Sequence, residues 1–385
     1  MIPPGSIAIV GQAESTEIGT VPNLSSTGLA LDAAANALQD AGLVATDIDG
    51  FTCGYFPVAD MSRQLGIFPS WADNTVVGGC SWMFQLRNAM AAIHAGYCST
   101  VLIVYGESGR STRGLTNSYD AGRPGSIGNQ FDMFYGAGAP AALFSLPVVR
   151  YMHEYGLTEQ DLAAGPVSQR QWASTVPRAT LRDPLTVDEV LDSPMIAWPM
   201  RRAMCCLVSD AGGALIVTSA DRAEDFEAPP VYILGSGGAL EGGVMSPAGV
   251  RDPLRPEFIR TSGNAAFASA GVTHDDVDHL MIYDAFAHNP IFGLEGLGFV
   301  EYGEGGTFIA EGHTAPGGTL PMNTSGGGMS YAHSGSYGML CMLESVRQIR
   351  GEAANQLPNV EISLCHGWGG LWSACSTFVF SRSRP

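Results

Sequence analysis

The sequence offers thiols, imidazoles and a phenol beside glycines or at the ends of apolar runs, where side chains can meet a ligand. In NTVVGGCSWMFQL, Cys80 follows a short β run and two glycines and precedes a helical stretch, so its sulfur is expected near a helix N-terminus. That position lowers a thiol pKa and favours the nucleophilic thiolate; the competing reading is a small buried core cysteine. In NTSGGGMSYAHSGSYG, a glycine-rich loop carries Ser330, Tyr331 and His333 ahead of a helix starting near Gly338. Glycine lets backbone N–H groups approach a ligand oxygen, which makes Asn323, Gly326 and Gly327 candidate oxyanion contacts. His333 could activate a thiol, stabilise an enolate oxygen, or simply cap the loop.

Two further segments end in polar side chains. LCHGWGG puts Cys365 and His366 at the end of the last buried strand, where either could serve as acid or base. Neighbours on a strand point to opposite faces, so one of the two is expected at the site and the other in the core. IYDAFAHNP puts Tyr283 and Asp284 at another strand end. The tyrosine hydroxyl could donate to a substrate oxygen or bond to backbone.

These residues need a scaffold, and the apolar patterning describes one. Ser6–Gly11, Ile48–Cys53 and Thr100–Tyr105 are expected strands, with helices over Leu29–Ala41 and Trp82–Ala95. The order repeats, with a strand over Val231–Leu234, a helix around Pro256–Ala270 and a strand over Asp278–Tyr283. The residues repeat as well: AGLVATDIDGF (41–51) lies over AGVTHDDVDHL (270–280), with Ile48 on Val277 and Asp49 on Asp278. Continuing the overlay, TVLIVYGES corresponds to VEISLCHGWGG. The first half is residues 1–225, including a loop insertion over about 108–200, and the second is 226–385. Ser111–Asn129 and Arg170–Pro199 have the composition of insertions, with a helix over Leu143–Tyr155 between them. Two such α/β halves imply layered sheets, mostly parallel, sandwiched by helices, with ligands beyond the strand ends.

Bulk properties narrow the function. The 385 residues are 45% hydrophobic, and the net charge of −18 includes 19 arginines and no lysine, which argues against nucleic acid as a partner. No stretch approaches the roughly 18 apolar residues of a membrane span, and MIPPGSIAIVG lacks the pattern of a signal peptide, so a soluble cytoplasmic protein is expected. The eight cysteines have no zinc-ligand spacing and no secretory context, and are expected as free thiols with no metal. There is no Walker loop.

Together the four segments resemble the active-site blocks of the thiolase superfamily, most closely its sterol carrier protein X-type and lipid-transfer-protein-type thiolase-like enzymes. RYMHEYGLTEQDLA, MCCLVSDAGGALIVTS, MNTSGG and ESVRQIRGEA extend the resemblance along nearly the whole chain. It implies a duplicated thiolase fold, a five-layered αβαβα sandwich. It also implies that Cys80 matches the acyl-accepting cysteine, that Tyr283 falls where thiolases carry the Asn or His of NEAF or HDCF, and that His333 and Cys365 match the GHP histidine and the C-terminal cysteine. Asn323, Gly326 and Gly327 would then lie on the coenzyme A side. Coenzyme A is implied as substrate or product, with no permanently bound cofactor. The family further implies a homodimer and a small companion protein carrying an OB-fold and a zinc ribbon.

Two mechanisms follow. In the thiolytic or acyl-transfer route Cys80 attacks a 3-oxoacyl-CoA, with His333 and Cys365 moving protons. In the aldolytic route, which YDAF in place of NEAF suggests, Tyr283 takes the proton of a 3-hydroxyl and Cys80 stands by. Retention of Cys80 with His333 and Cys365 favours the first route. A non-catalytic acyl-CoA-binding or lipid-binding scaffold is a third reading.

Overall fold

The structure is a computed structural model that describes residues 2–112, 125, 128–242 and 250–385. Most of the expected insertion at Ser111–Asn129 thus lies outside the described residues. Strands β1 (Ile7–Glu14), β2 (Gly50–Cys53), β3 (Trp71–Asp73) and β4 (Thr100–Ser108) alternate with helices α1 (Ser26–Asp40), α2 (Val58–Leu65) and α3 (Ser81–His94). Helices α4 (Pro140–Tyr155), α5 (Glu159–Ala173) and α6 (Val187–Asp192) and the hairpin β5 (Met195–Ala197) and β6 (Met200–Arg201) lead to β7 (Asp210–Ser219). The rest of the chain runs β8 (Val231–Leu240), α7 (Glu257–Ala270), β9 (His279–Ile282), α8 (His288–Leu297), α9 (Gly305–Ala310), α10 (Gly327–Ser330), α11 (Gly338–Arg350), β10 (Ile362–Gly369) and β11 (Ala374–Ser381).

The strand order is β3-β2-β4-β7-β1-β8-β11-β10-β9, and β1 meets β8 over only two residue pairs, Ala8 with Tyr232 and Ile9 with Val231. Two sheets are therefore joined at a narrow seam. Helix α1 covers the outer face of the first sheet, α7 covers that of the second, and α3 and α11 lie side by side between them, each touching strands of both. This is the αβαβα layering.

Each sheet is mixed, which corrects the expectation of mostly parallel sheets. Among the described residues, the parallel strand pairs are β2 with β3 and β4, and β9 with β10, whereas β4–β7, β7–β1, β8–β11 and β11–β10 are antiparallel. Parallel neighbours need a helical crossover, which α2, α3 and α11 supply; β10 turns directly into β11 and can only return antiparallel. The Arg170–Pro199 segment also differs from a polar insertion: Trp172 and Ala173 of α5 and Val190 of α6 are buried.

The repeated sequence performs a repeated task. Ala45–Asp47 and His274–Asp276 each form one 3₁₀ turn, closed by Asp47 accepting from Val44 N and by Asp276 accepting from Thr273 N. Two residues later, the Asp49 carboxylate accepts from Ser99 N and Thr100 N at 2.8–2.9 Å, tying down the start of β4. Asp278 accepts from Glu361 N and Ile362 N at 2.9 Å and does the same for β10. Asp49→Ala and Asp278→Ala should each destabilise the fold by about 1 kcal/mol. Because the sites are in different sheets, the melting shift of the double mutant should equal the sum of the single shifts. A clearly non-additive shift would mean that the two strand anchors are not independent.

Candidate active site

The site is built where the two central helices begin. Gly338 N, the first residue of α11, donates to Gly79 O at 3.0 Å, next to Cys80 at the N-cap of α3. A Cβ on Gly338 would lie 2.6 Å from that oxygen and 3.1 Å from Cys80 Cα, so only glycine lets the loops approach this closely. Gly79 faces the end of β9: a Cβ there would collide with the Tyr283 hydroxyl and lie 2.6 Å from Cζ of the ring. The phenol and the cysteine loop are thus in contact.

Tyr283 is held from behind by Asn323. Ile282 N donates to Asn323 Oδ1 and Asn323 Nδ2 donates to Ile282 O, both at 2.9 Å, so the amide closes the backbone of the residue before Tyr283. Asn323 adopts φ +56, a left-handed conformation that asparagine tolerates better than most residues. Gly326 and Gly327 serve close packing too: Cβ atoms there would meet Ala173 and the Asp284 carboxylate. That carboxylate accepts from Gly328 N at 2.8 Å and Met329 N at 3.4 Å. The Asn323 amide and the loop's N–H groups at 328 and 329 are engaged by the chain itself, and Gly326 N donates to Asn323 O at 2.8 Å. Burial pushes the Asp284 carboxyl up to about 8, against the pull of these two N–H groups.

His333 is clamped by Ser209, whose Oγ accepts from His333 N at 2.9 Å and whose N donates to His333 O at 3.1 Å. Gly335 N donates to Nδ1 at 3.3 Å, which assigns the proton of the neutral ring to Nε2. Nε2 faces the Tyr283 hydroxyl at 3.1 Å. Burial pushes the ring down to about 4, so it is neutral near pH 7. Tyr337 stacks on the imidazole with centroids 6.2 Å apart and lies 5.9 Å from the Tyr283 ring.

Cys80 is fully buried and its thiol is pushed well up by burial, and further by Cys375. The expected helix N-terminus is there, but desolvation outweighs it. Cys365, Gly367 and Gly369 share the face of β10 turned to Cys80: Cβ atoms on the two glycines would come within 2.9 Å of Cys80 Cβ and 2.8 Å of its sulfur. The Cys365 thiol lies against the thiol of Cys341 of α11, both cysteines being free. His366 is on the opposite face. Its Nδ1 meets Thr377 Oγ1 at 2.8 Å, which in turn meets Ser262 of α7 at 2.9 Å, so the imidazole points away from the Tyr283–His333 pair, while the His366 backbone O accepts from Tyr283 N at 2.9 Å. Of the residues expected at the site, the structure unites Tyr283, His333, Cys80 and the Cys365 face of β10.

Tyr337 and Asn289 escaped sequence reasoning. Tyr337 stands in the His333 block and Asn289 six residues after Tyr283, but only tertiary contacts mark them. Tyr283 and Asn289 line a cavity of about 20 Å³ walled by Phe144, Phe286, Trp368 and Leu371. A much larger cavity, about 910 Å³, is a charged groove lined by Glu14, Arg178, Tyr331 and Arg347, and none of Cys80, Tyr283 and His333 lines it. Among the described residues, no helix is long and apolar enough to cross a membrane.

A mixed α/β sandwich whose central helices meet at a buried Tyr–His pair and a cysteine has the layout of thiolase-like enzymes of acyl-CoA chemistry. Residues 246–382 match the family described as thiolase C-terminal domain-like. The chain is 30% identical to an acetyl-CoA acetyltransferase of Methanothermobacter thermautotrophicus over 98% of its own length and 99% of that protein. It is 33% identical to a 17-hydroxy-3-oxo-4-pregnene-20-carboxyl-CoA lyase of Mycobacterium tuberculosis, over 93% of its length and 95% of that protein. A solved structure described as an Ltp2-ChsH2(DUF35) aldolase aligns with a TM-score of 0.89 at 29% identity, covering 99% of this chain and 98% of that one. The chain belongs to the thiolase superfamily, on its sterol carrier protein 2 thiolase-like branch. It is an enzyme that makes or breaks a carbon–carbon bond in acyl-CoA chemistry, with acyltransferases and lyases both among its relatives.

The buried titratable groups set a stability optimum. Burial pushes His333 down to about 4 and His279, His288 and His366 down to about 3, so below about pH 6.5 the unfolded chain binds protons that the folded chain refuses. Asp284 and Glu295, pushed up to about 8 and about 7, hold protons in the folded chain that the unfolded chain has lost. Between about pH 4.5 and 6.5 the four histidines outweigh the carboxyls that burial pushes up, Asp284, Glu295 and Glu344, and stability should fall with acid by roughly 1–3 kcal/mol per pH unit. Above pH 6.5 only the carboxyls count and stability should fall as pH rises towards 8. The melting temperature should therefore peak near pH 6.5; a flat profile from pH 5 to 8 would contradict these protonation states.

Proposed function

We propose that this enzyme is a carbon–carbon lyase that cleaves a 3-hydroxyacyl-CoA by a retro-aldol reaction centred on Tyr283 and His333. The observation that carries the reading is the 3.1 Å contact between the Tyr283 hydroxyl and His333 Nε2 at the end of β9, where Tyr283 also lines a cavity. With Nε2–H donating to the phenolic oxygen, negative charge on that oxygen is offset by a fixed donor, which suits Tyr283 to act as a base. Cleavage starts from the phenolate: Tyr283, its own proton first given up to solvent, takes the proton of the C3 hydroxyl and later returns it to C2. The C2–C3 bond breaks, C3 becomes a carbonyl, and the bonding pair passes to C2 as the enolate of the thioester. The proton lost at oxygen balances the one gained at C2, so no co-reactant is required.

Cys80 supports this reading less well, since its thiol is fully buried and held in the neutral form. The thiolytic route keeps one observation in its favour: Cys80 caps α3 and faces Gly367, Gly369 and the Cys365 side of β10. In that route Cys80 carries the acyl group and Cys365 moves a proton. We further propose that coenzyme A is a substrate or product and not a resident cofactor. The enzyme would work in the cytoplasm as a homodimer with a separate small companion carrying an OB-fold and a zinc ribbon. The similar aldolase described with a DUF35 partner supports the companion.

In an assay of ketone and acyl-CoA release from a tertiary 3-hydroxyacyl-CoA without free CoA, Tyr283→Phe should lower kcat at least 100-fold. Cys80→Ala should stay within a few-fold of wild type. The reverse pattern, with turnover lost in Cys80→Ala and dependent on added CoA, would move the reaction to the thiolytic route.

A further inference from the structure

The first turn of α8 buries two polar side chains side by side, His288 and Asn289, with relative exposures of 0% and 1%. Asn289 Oδ1 accepts from Phe286 N at 2.9 Å. This fixes the amide, because a flipped side chain would turn its NH₂ towards another N–H. The Nδ2 group is then a donor that has no partner among the described residues. Buried donors are rarely left this way, and each such group calls for an explanation.

Asn289 has neighbours in the same state. Both ring nitrogens of His288 and Nε1 of Trp372 also lack partners among the described residues, and both rings pack on Phe144. Phe144, Asn289 and Tyr283 line the same cavity. Its volume of about 20 Å³ has room for one oxygen-sized group. Tyr283 and Asn289 are the polar side chains on its wall amid apolar neighbours, and Asn289 Nδ2 is a donor without a partner among the described residues. A carbonyl or alkoxide oxygen suits such a site; a cation does not.

We infer that Asn289 Nδ2 binds the C3 oxygen of the substrate acyl group, as the second donor beside the Tyr283 hydroxyl. The inference rests on the proposed reading, in which Tyr283 takes the proton of that oxygen. In the dry site a fixed amide dipole supports the charge that passes through the oxygen as the C2–C3 bond breaks. It also makes the C3 oxygen the feature by which the enzyme selects an acyl-CoA.

The test compares binding of two acyl-CoAs that differ only in the presence of an oxygen at C3, by calorimetry without free CoA. Tyr283→Phe serves as a background without turnover, with and without Asn289→Asp. Aspartate keeps the acceptor for Phe286 N and removes the donor. The Asn289 enzyme should bind the oxygenated ligand at least 10-fold more tightly, and N289D should reduce that preference to about two-fold, with affinity for the unoxygenated ligand unchanged. Preference retained in N289D, or absent with Asn289 in place, overturns the proposal. Infrared spectra of a 3-oxoacyl-CoA carrying ¹³C at C3 test it in the wild-type protein, so they decide even if the variant does not fold: the C3 carbonyl stretch should drop on binding, and an unshifted band overturns the proposal. Failure of the lyase reading is distinct: wild type would cleave no 3-hydroxyacyl-CoA, whereas the C3-oxygen preference would still report on Asn289.

Discussion

The backbone hydrogen bond from Gly338 N to Gly79 O is the joint on which the site depends. It fastens the first residue of the central helix from one half of the chain to the residue before the central helix from the other. With no side chain at either position, the two helix starts close to within a hydrogen bond, and the Tyr283 hydroxyl comes to rest against Gly79. Around this joint the remaining contacts are positional. Asn323 clamps Ile282, Ser209 clamps His333, and Asp284 holds the turn at Gly328. Each clamp fixes the backbone beside a reactive side chain and leaves the side chain itself to the site.

Dryness does the rest. The same burial that holds His333 neutral holds the Cys80 thiol protonated and raises the Asp284 carboxyl. A neutral imidazole with its proton assigned to Nε2 is suited to supporting a phenol. A thiol held protonated by burial is poorly suited to attack. One environment thus favours the tyrosine over the cysteine, although a helix N-terminus, which ordinarily lowers a thiol pKa, lies beside the cysteine.

Much of this was legible in the sequence, for reasons that can be named. The duplication could be read because Asp49 and Asp278 each anchor a neighbouring strand, and that task keeps the local pattern DIDGF and DVDHL intact. Tyr283, His333 and Cys80 could be found because each ends a strand or follows glycines. The choice between Cys365 and His366 could not be made, since strand alternation gives opposite faces but not which face points inward; contact with α7 decided it. Glycines that admit a ligand and glycines that admit the chain's own Asp284 look alike in sequence. Sheet direction was misread because β11 returns directly from β10 and because β7 runs antiparallel to β4 although helices α4, α5 and α6 lie between them, and Asn289 was hidden in a run that reads as an apolar helix.

The central claim is that the carbon–carbon bond breaks without an acyl group on Cys80. Intact-protein mass spectrometry of enzyme quenched during steady-state cleavage of a 3-hydroxyacyl-CoA tests it most directly. The account predicts the unmodified mass at every time point while ketone and acyl-CoA accumulate. A transient increase equal to the acyl group, absent in Cys80→Ala, would contradict it and return the reaction to the cysteine.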